Sequence, residues 1–508
     1  MSVSAANASP ASPAPALRSP RRTRRLPAWA RRVLLVGLAF AAAAIALHFL
    51  SHELTDDSYA FLDWGRDLRH HYVPPLLENR TFHPIPILAG ALLSLLGSAA
   101  PGATVLCAVA GLVLLAAGAW QVCRLLELRQ PAPAFAALLI VTSPMLVAIS
   151  FAAYINLPFA VLIVWALVWE LRQRPRLTWT LLVIAGLVRP EGWAFLLAYG
   201  ALEWWRAGRP LLSRRLAVIL LLAVGPMTLW LFLEWRFFGT PLYSFTNTRA
   251  PAGTVQSSSS LHGLWTTLKF CLALPGLIAS VIGAVAIWRL APRRPAATVL
   301  GATLVAALTV AFLATSKFNV PDRHFSAFVS LLCVLAAAGA TAPAQWLARR
   351  RPSAGPQAVI AVGLAGVVLV VALAASTVHQ KLSFDFDVFR VERVTGNALD
   401  ATIARSRVSL DVRGAREHSV ASTAAVVESE LVWDLGVPYN AVDDRTSNTT
   451  QLLVQPSPGT WELLERRRLT DRTIVAVPRG WTSVTAGAWM LWSPQAARPV
   501  RLGAPPGR

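Results

Sequence analysis

Five short constellations in this chain carry residue types able to do chemistry. They are Thr55-Asp56-Asp57-Ser58-Tyr59-Ala60, His83-Pro84, Arg189-Pro190-Glu191-Gly192, Arg236 with the Gly239-Thr240-Pro241-Leu242 that follows it, and Asp322-Arg323-His324. A carboxylate such as Asp56 or Asp57 can take a proton from a hydroxyl as that hydroxyl attacks an electrophile. The same stretch is suited to capping a helix, because Thr and Asp are favoured there and carboxylates suit the positive helix end. Arg189 and Glu191 lie between apolar blocks, where an arginine costs about 2.5 to 3.5 kcal/mol on insertion scales. They either pair across a broken helix or meet a polar ligand. Arg236 and Arg323 stand at helix ends, as interfacial anchors or, beside an acidic loop, as parts of a clamp for phosphate.

The chain contains no Gly-rich phosphate loop, no HExxH and no paired CxxC, so nucleotide-driven pumping and zinc chemistry have no motif behind them. Energy for a reaction must then arrive in an activated substrate. Cys107, Cys123, Cys271 and Cys333 all lie within or at the ends of apolar blocks, which marks them as small core or lipid-facing residues.

The elements that must position these residues are membrane helices. Of 508 residues, 55% are hydrophobic and 14% charged, and the mean hydropathy is +0.51. Apolar blocks of about twenty residues, the length a helix needs to cross a bilayer, alternate with short arginine-bearing gaps. Such a composition excludes an ordinary cytosolic protein. The formal charge of +21 would suit nucleic acid if it formed a stripe. Instead nearly all of it is arginine, the lysines being Lys269, Lys317 and Lys381, and much of it sits in gaps where it sets topology. No nucleic-acid partner is expected.

Residues 1–32 read as a disordered cytoplasmic tail, its arginines directly preceding a first block at 33–50. The length of both favours an uncleaved first transmembrane helix over a signal peptide. Whether 84–98 spans decides the orientation of everything after it. If it does not span, the clusters Arg124/Arg129, Arg172/Arg174/Arg176, Arg206/Arg209/Arg214/Arg215, Arg289/Arg293/Arg294 and Arg349/Arg350/Arg351 share the cytoplasmic side with the tail. That obeys the positive-inside rule, so 84–98 is expected to be an interfacial or half-inserted helix opened by His83-Pro84.

Eleven crossings follow, at 33–50, 102–123, 132–149, 157–171, 177–188, 193–205, 216–235, 264–288, 296–315, 325–346 and 357–378. Those at 177–188 and 193–205 are too short for ~30 Å of hydrocarbon, which should sink their junction below the outer surface, in a cavity lined by protein and water. In the first outer loop, 51–101, Phe61, Trp64 and Leu68 fall at i, i+3 and i+7. An interfacial helix there should bury them and direct Asp56, Asp63 and Asp67 elsewhere. The fold expected is thus an all-α polytopic membrane domain over 33–378, followed by a small extracytoplasmic α/β domain over 380–508 with strands at 419–427 and 473–478. Its Trp433, Trp461, Trp481, Trp489 and Trp492 suit a core more often than a sugar-stacking face.

In their order and shared expected location, the motifs resemble the GT-C superfamily of integral membrane glycosyltransferases, over most of 33–346. The resemblance implies a polyprenyl-phosphate-linked sugar donor presented outside the plasma membrane and an acceptor hydroxyl on a glycan, lipid or protein. It maps the catalytic base onto Asp56, with Asp57 as its supporting neighbour. Arg189, Arg236 and Arg323 are expected at the donor phosphate, and Glu191, His83 and His324 at substrate-orienting positions. His324 replaces the aromatic residue usual after the arginine, and the second outer loop holds Tyr154 and Asn156 where many relatives carry an acid. The implied reaction is an inverting displacement needing no cofactor and no essential metal, since arginine can handle a phosphomonoester leaving group. Two other classes compete: a transporter or flippase of lipid-linked glycans, and a noncatalytic membrane protein of envelope assembly. A transporter should place its charges at the midplane on facing helices, whereas here they gather near one surface.

Overall fold

The computed structural model describes residues 28–49, 54–70, 81–208, 213–247, 261–315, 322–351, 353, 355–406, 420–422, 442–443, 452–456, 481–486 and 489–494. Its helices are α1 (Ala28–Phe49), α2 (Asp56–Arg69), α3 (Pro84–Leu93), α4 (Ala100–Leu125), α5 (Ala132–Thr142), α6 (Pro144–Phe151), α7 (Asn156–Leu171) and α8 (Pro175–Val188). They continue as α9 (Gly192–Arg206), α10 (Arg214–Phe238), α11 (Tyr243–Asn247), α12 (Leu261–Leu290), α13 (Arg293–Thr315), α14 (Ser326–Ala340), α15 (Ala342–Arg350) and α16 (Pro356–Ser406). The tail before Ala28 lies outside the described residues.

Each of the eleven expected segments is helical, but length and composition alone carry fewer crossings. Among the described residues six helices are long and apolar enough to cross a membrane, or seven when the pair α5–α6, bent by 55° at Ser143-Pro144, counts as one. Helices α7, α8 and α9 have 16, 14 and 15 residues. At ~1.5 Å per residue each falls short of the hydrocarbon thickness. The outward faces fit lipid contact: Leu221 of α10, Val281 of α12, Phe312 of α13 and Val368 of α16 are all exposed. Water would penalise such surfaces, whereas lipid tails do not.

Helix α14 is the hub. All its residues but Phe328 are buried, and its many Ala, Ser, Gly and Cys side chains let neighbouring backbones approach, as small residues do between membrane helices. Ser280 of α12 donates from Oγ to the Leu332 carbonyl at 3.0 Å, tying α12 to this hub. The hub holds in place the 3-10 turn Asp322–Phe325 that precedes it. Of the cysteines, Cys123, Cys271 and Cys333 are buried and Cys107 is exposed, and all are free thiols.

Residues 84–99 pack chiefly along α2. A six-residue 3-10 turn, Ser94–Ala99, separates α3 from α4, and Gly97 turns the chain there with φ of +57°, a region closed to most side chains. The faces of α2 differ from expectation. Trp64 is buried as expected, but Asp63 and Asp67 are buried too, while Leu68 is exposed. A heptad count treats the helix as lying on one flat surface, but here it is enclosed on more than one side. Arg66 stabilises the enclosed carboxylates from 3.2 Å for Asp63 and 3.9 Å for Asp67.

At the far end, α16 continues past the expected limit at 378 to Ser406, as no proline interrupts it. Five strands follow: β1 (Val420–Ser422), β2 (Val442–Asp443), β3 (Leu452–Pro456), β4 (Trp481–Ala486) and β5 (Trp489–Pro494). They form one mixed sheet in the order β2-β1-β3-β5-β4, parallel about β1 and antiparallel about β5. Strand β1 falls within the expected 419–427, whereas 473–478, Trp433 and Trp461 lie outside the described residues. Trp489, paired with Pro456 and Ala486, is fully buried, so it serves as core.

Candidate functional site

Proline punctuation builds one wall of the site. Pro190 bars helical backbone from the residue before it, so Arg189 is extended at φ −149° and ψ 141° and α8 ends. The chain then turns tightly, Gly192 N–H donating to the Arg189 carbonyl at 3.0 Å, and α9 starts. This turn sets the side chains of Arg189 and Glu191 side by side. Nε of the arginine donates to Oε2 at 3.1 Å and Nη2 to Oε1 at 2.7 Å, a fork geometry in which charge-assisted bonds are strong. Both residues are buried.

The 3-10 turn before α14 supplies the opposite wall. His324 Nδ1 lies 2.8 Å from Glu191 Oε1 and 2.9 Å from Arg189 Nη2. A carboxylate only accepts and a guanidinium only donates, so the proton on Nδ1 decides which contact is a hydrogen bond. Arg323 reaches the other way: its Nη2 donates to Asp57 Oδ2 at 2.6 Å. Two consecutive residues therefore stitch together the start of α2 and the α8–α9 junction.

The start of α2 is fixed without a side-chain cap. Thr55 occupies the N-cap position, but its side chain makes no cap bond and its Oγ1 lies 3.0 Å from Ser58 Oγ. Ser58 Oγ donates to the Ala152 carbonyl at 2.9 Å, anchoring α2 to the segment that joins α6 to α7. Asp56 opens the helix, and its side chain lies outside the described residues.

His83 closes the group from the side of α3. Its Nδ1 lies 2.9 Å from the Val188 carbonyl. A carbonyl only accepts, so Nδ1 carries the proton and the neutral ring leaves Nε2 as an acceptor. Burial, reinforced by the charge of Arg189, lowers the pKa of His83 to about 3. Burial alone would raise Glu191, but Arg189 and His324 outweigh it and hold this carboxyl well below its usual range.

Asp57, Arg189, Glu191, Arg323, His324 and His83 are thus brought into one neighbourhood. Arg236 is not joined to them: it is exposed at the end of α10, and its guanidinium has no ion pair or hydrogen bond among the described residues. Its neighbours Phe237 and Phe238 instead pack on Phe82, with ring centroids 6.0 and 5.7 Å away. Among the described residues no group of three or more His, Cys, Asp or Glu side chains could hold a metal ion.

A buried carboxylate on α10 escaped the sequence reading. Glu234 is fully buried, accepts from Trp230 Nε1 at 2.9 Å, and lies 3.4 Å from the Ser244 backbone N–H. Ser244 Oγ in turn accepts from the Phe82 N–H at 3.0 Å, and the Trp230 ring meets His83 edge-on at 5.5 Å. Glu234 therefore braces His83 from behind. The available signal was a lone acid four residues after a tryptophan, the spacing that puts both on one helix face.

The arrangement couples a half-buried carboxylate to one arginine and a buried carboxylate to another. An anion entering between them finds guanidinium groups already ordered, and a hydroxyl finds acceptors.

Nearly the whole chain matches solved structures in its fold. It is similar to ArnT from Cupriavidus metallidurans bound to undecaprenyl phosphate, at 14% identity and TM-score 0.54, over 93% of this chain and 99% of that one. It is also similar to the same protein in the apo state, at 15% identity and TM-score 0.55, over 92% of this chain and 98% of that one. At such identity the likeness establishes the fold alone. No family model matches the chain, and no curated protein sequence is significantly similar to it.

Proposed function

We propose that this protein is an inverting glycosyltransferase that moves a sugar from a polyprenyl-phosphate donor to an acceptor hydroxyl at the outer face of the plasma membrane. The observation that carries this reading is the convergence of Asp57–Arg323 and Arg189–Glu191–His324, on a fold shared with a protein solved with undecaprenyl phosphate bound. Asp56 takes the proton of the acceptor hydroxyl, whose oxygen attacks the anomeric carbon. The bond from that carbon to the phosphate oxygen breaks with inversion, and polyprenyl phosphate departs with the electron pair. Arg323, already within reach of the acidic loop, moves onto the phosphate. Guanidinium groups preorganised in a site poor in water stabilise such developing charge well. Glu191 keeps Arg189 oriented, and neutral His83 offers Nε2 to a sugar hydroxyl.

The test is transfer by purified protein in nanodiscs against a panel of polyprenyl-phosphate sugars, with Asp56→Asn beside the wild type. Transfer from one donor by the wild type and its loss in the variant are expected. Absence of transfer from every donor, or full activity in the variant, would overturn the reading. Orientation is checked by a reporter fused at position 70, where a cytoplasmic signal would place the site on the wrong side.

A further inference from the structure

The segment between α6 and α7 carries no carboxylate, and the mechanism above leaves Tyr154 and Asn156 without a task. Both contact Arg323. The guanidinium carbon lies 4.5 Å from the centroid of the Tyr154 ring, within the range of cation–π attraction. Asn156 is 1% exposed, and its Nδ2 donates to the Arg323 backbone carbonyl at 3.0 Å. Ser326, at the start of α14, returns the contact by donating from Oγ to the Asn156 carbonyl at 3.0 Å. Because a carbonyl only accepts, the amide must turn its NH₂ group to Arg323. A carboxylate at position 156 could not make that bond. It would set a negative charge against the carbonyl oxygen and offer the guanidinium a rival to Asp57.

We infer that Tyr154 and Asn156 are positioning residues for Arg323, one fixing the plane of its guanidinium and the other its backbone. The arginine can then pass between the Asp57 carboxylate and a ligand phosphate without being released to solvent. This rests on the polyprenyl-phosphate reading for the identity of the ligand. A free arginine side chain loses considerable rotamer freedom on binding, and one held from two sides has already lost it. The neutral amide also explains how this chain dispenses with an acid in this segment: Arg323 is held by its main chain rather than by a second charge.

The experiment is equilibrium binding of a long-chain polyprenyl phosphate, without sugar, to the full-length protein in nanodiscs, read by tryptophan fluorescence. It is paired with steady-state kinetics on the sugar-bearing donor. Tyr154→Leu and Asn156→Asp should each weaken binding and raise the donor KM about tenfold, a change within the span of one cation–π contact or one buried hydrogen bond to a main-chain carbonyl. Acceptor KM and kcat should change little. Tyr154→Phe keeps the ring face and should bind as the wild type does. Asn156→Ala, the milder change, should fall between wild type and Asn156→Asp, and it carries the test where the acid does not fold. Loss in Tyr154→Phe equal to that in Tyr154→Leu, or loss confined to kcat, would overturn the inference. Wild-type binding with variants binding alike would sink only this inference, whereas a wild type that does not bind polyprenyl phosphate would sink the parent reading and this one with it.

Discussion

Arg323 Nη2 stands 2.6 Å from Asp57 Oδ2, a contact between residues 266 apart in the chain. The pair is partly open to solvent, with side-chain exposures of 28% and 37%, so it can be exchanged for a pair with a ligand. Asp57 is thereby committed to Arg323, and the proposed mechanism assigns the catalytic proton to Asp56. Asp56→Asn should therefore lower kcat by about 10²- to 10⁴-fold with the fold intact. Asp57→Asn should act mainly on donor KM, by altering where Arg323 rests. Steady-state kinetics with both substrates varied separate the two, and the opposite pattern would exchange the roles of the carboxylates.

The Arg189–Glu191 fork is a different kind of pair, with side chains only 7% and 6% exposed. Removing one partner from a buried ion pair strands the other charge. Glu191→Gln or Arg189→Gln should thus cost ~3–5 kcal/mol of stability, and a double replacement by methionine much less. A double-mutant cycle on unfolding in detergent measures this. Single losses below ~1 kcal/mol would mean that the pair is solvated as surface pairs are.

The legible parts of this architecture were those written in local punctuation. Pro190 and the shortness of the flanking apolar blocks placed Arg189 and Glu191 at a helix junction, and the arrangement there is as the spacing suggests. Arg323 and His324 could be assigned to the same side as the acidic loop from arginine bias, but not to opposite partners. That depends on the turn before α14, whose geometry no periodicity encodes. The enclosure of Asp63 and Asp67 was hidden for a related reason: periodicity reports one apolar face, while enclosure depends on how many neighbours arrive. Arg236 looked equivalent to Arg323 as an arginine at a helix end, and only their surroundings distinguish them: Arg323 meets Asp57 and Tyr154, whereas Arg236 is exposed.

Helix α2 carries Asp57, and its position depends on contact with α3 through glycine. A methyl built on Gly90 would collide with the Phe61 carbonyl, and one on Gly65 with the backbone of Ala91. Neither obstacle is a flexible side-chain tip, so the helices must separate. Gly90→Ala should reduce transfer at least tenfold, because displacements near 1 Å cost about 10²-fold where reacting groups must be aligned. The measurement is kcat alongside the thermal midpoint. An unchanged kcat would show that the α2–α3 spacing does not set the catalytic geometry.

His83 makes stability depend on pH in a direction fixed by its surroundings. Burial and Arg189 lower its pKa from 6.5 to about 3, against opposing contributions from Glu191, the Val188 carbonyl and Asp57, and the rings of Phe61 and Trp230 pack on it edge-on. Between those two values the unfolded chain binds a proton that the folded chain refuses, so the unfolded state gains as pH falls. The stabilisation is complete above 6.5 and is lost below it, at ~1.4 kcal/mol per pH unit once the unfolded imidazole is fully protonated. Glu191, also held low, adds its own loss only below its ordinary value of 4.5. The window between 4.5 and 6.5 therefore reports on the buried imidazoles of the site, His83 and His324. Unfolding in detergent across it should steepen for the wild type and become shallower in His83→Gln, whose side chain can still donate to the Val188 carbonyl but takes up no proton, the slope that remains belonging to His324. An equal acid slope in that variant would assign the effect to another group.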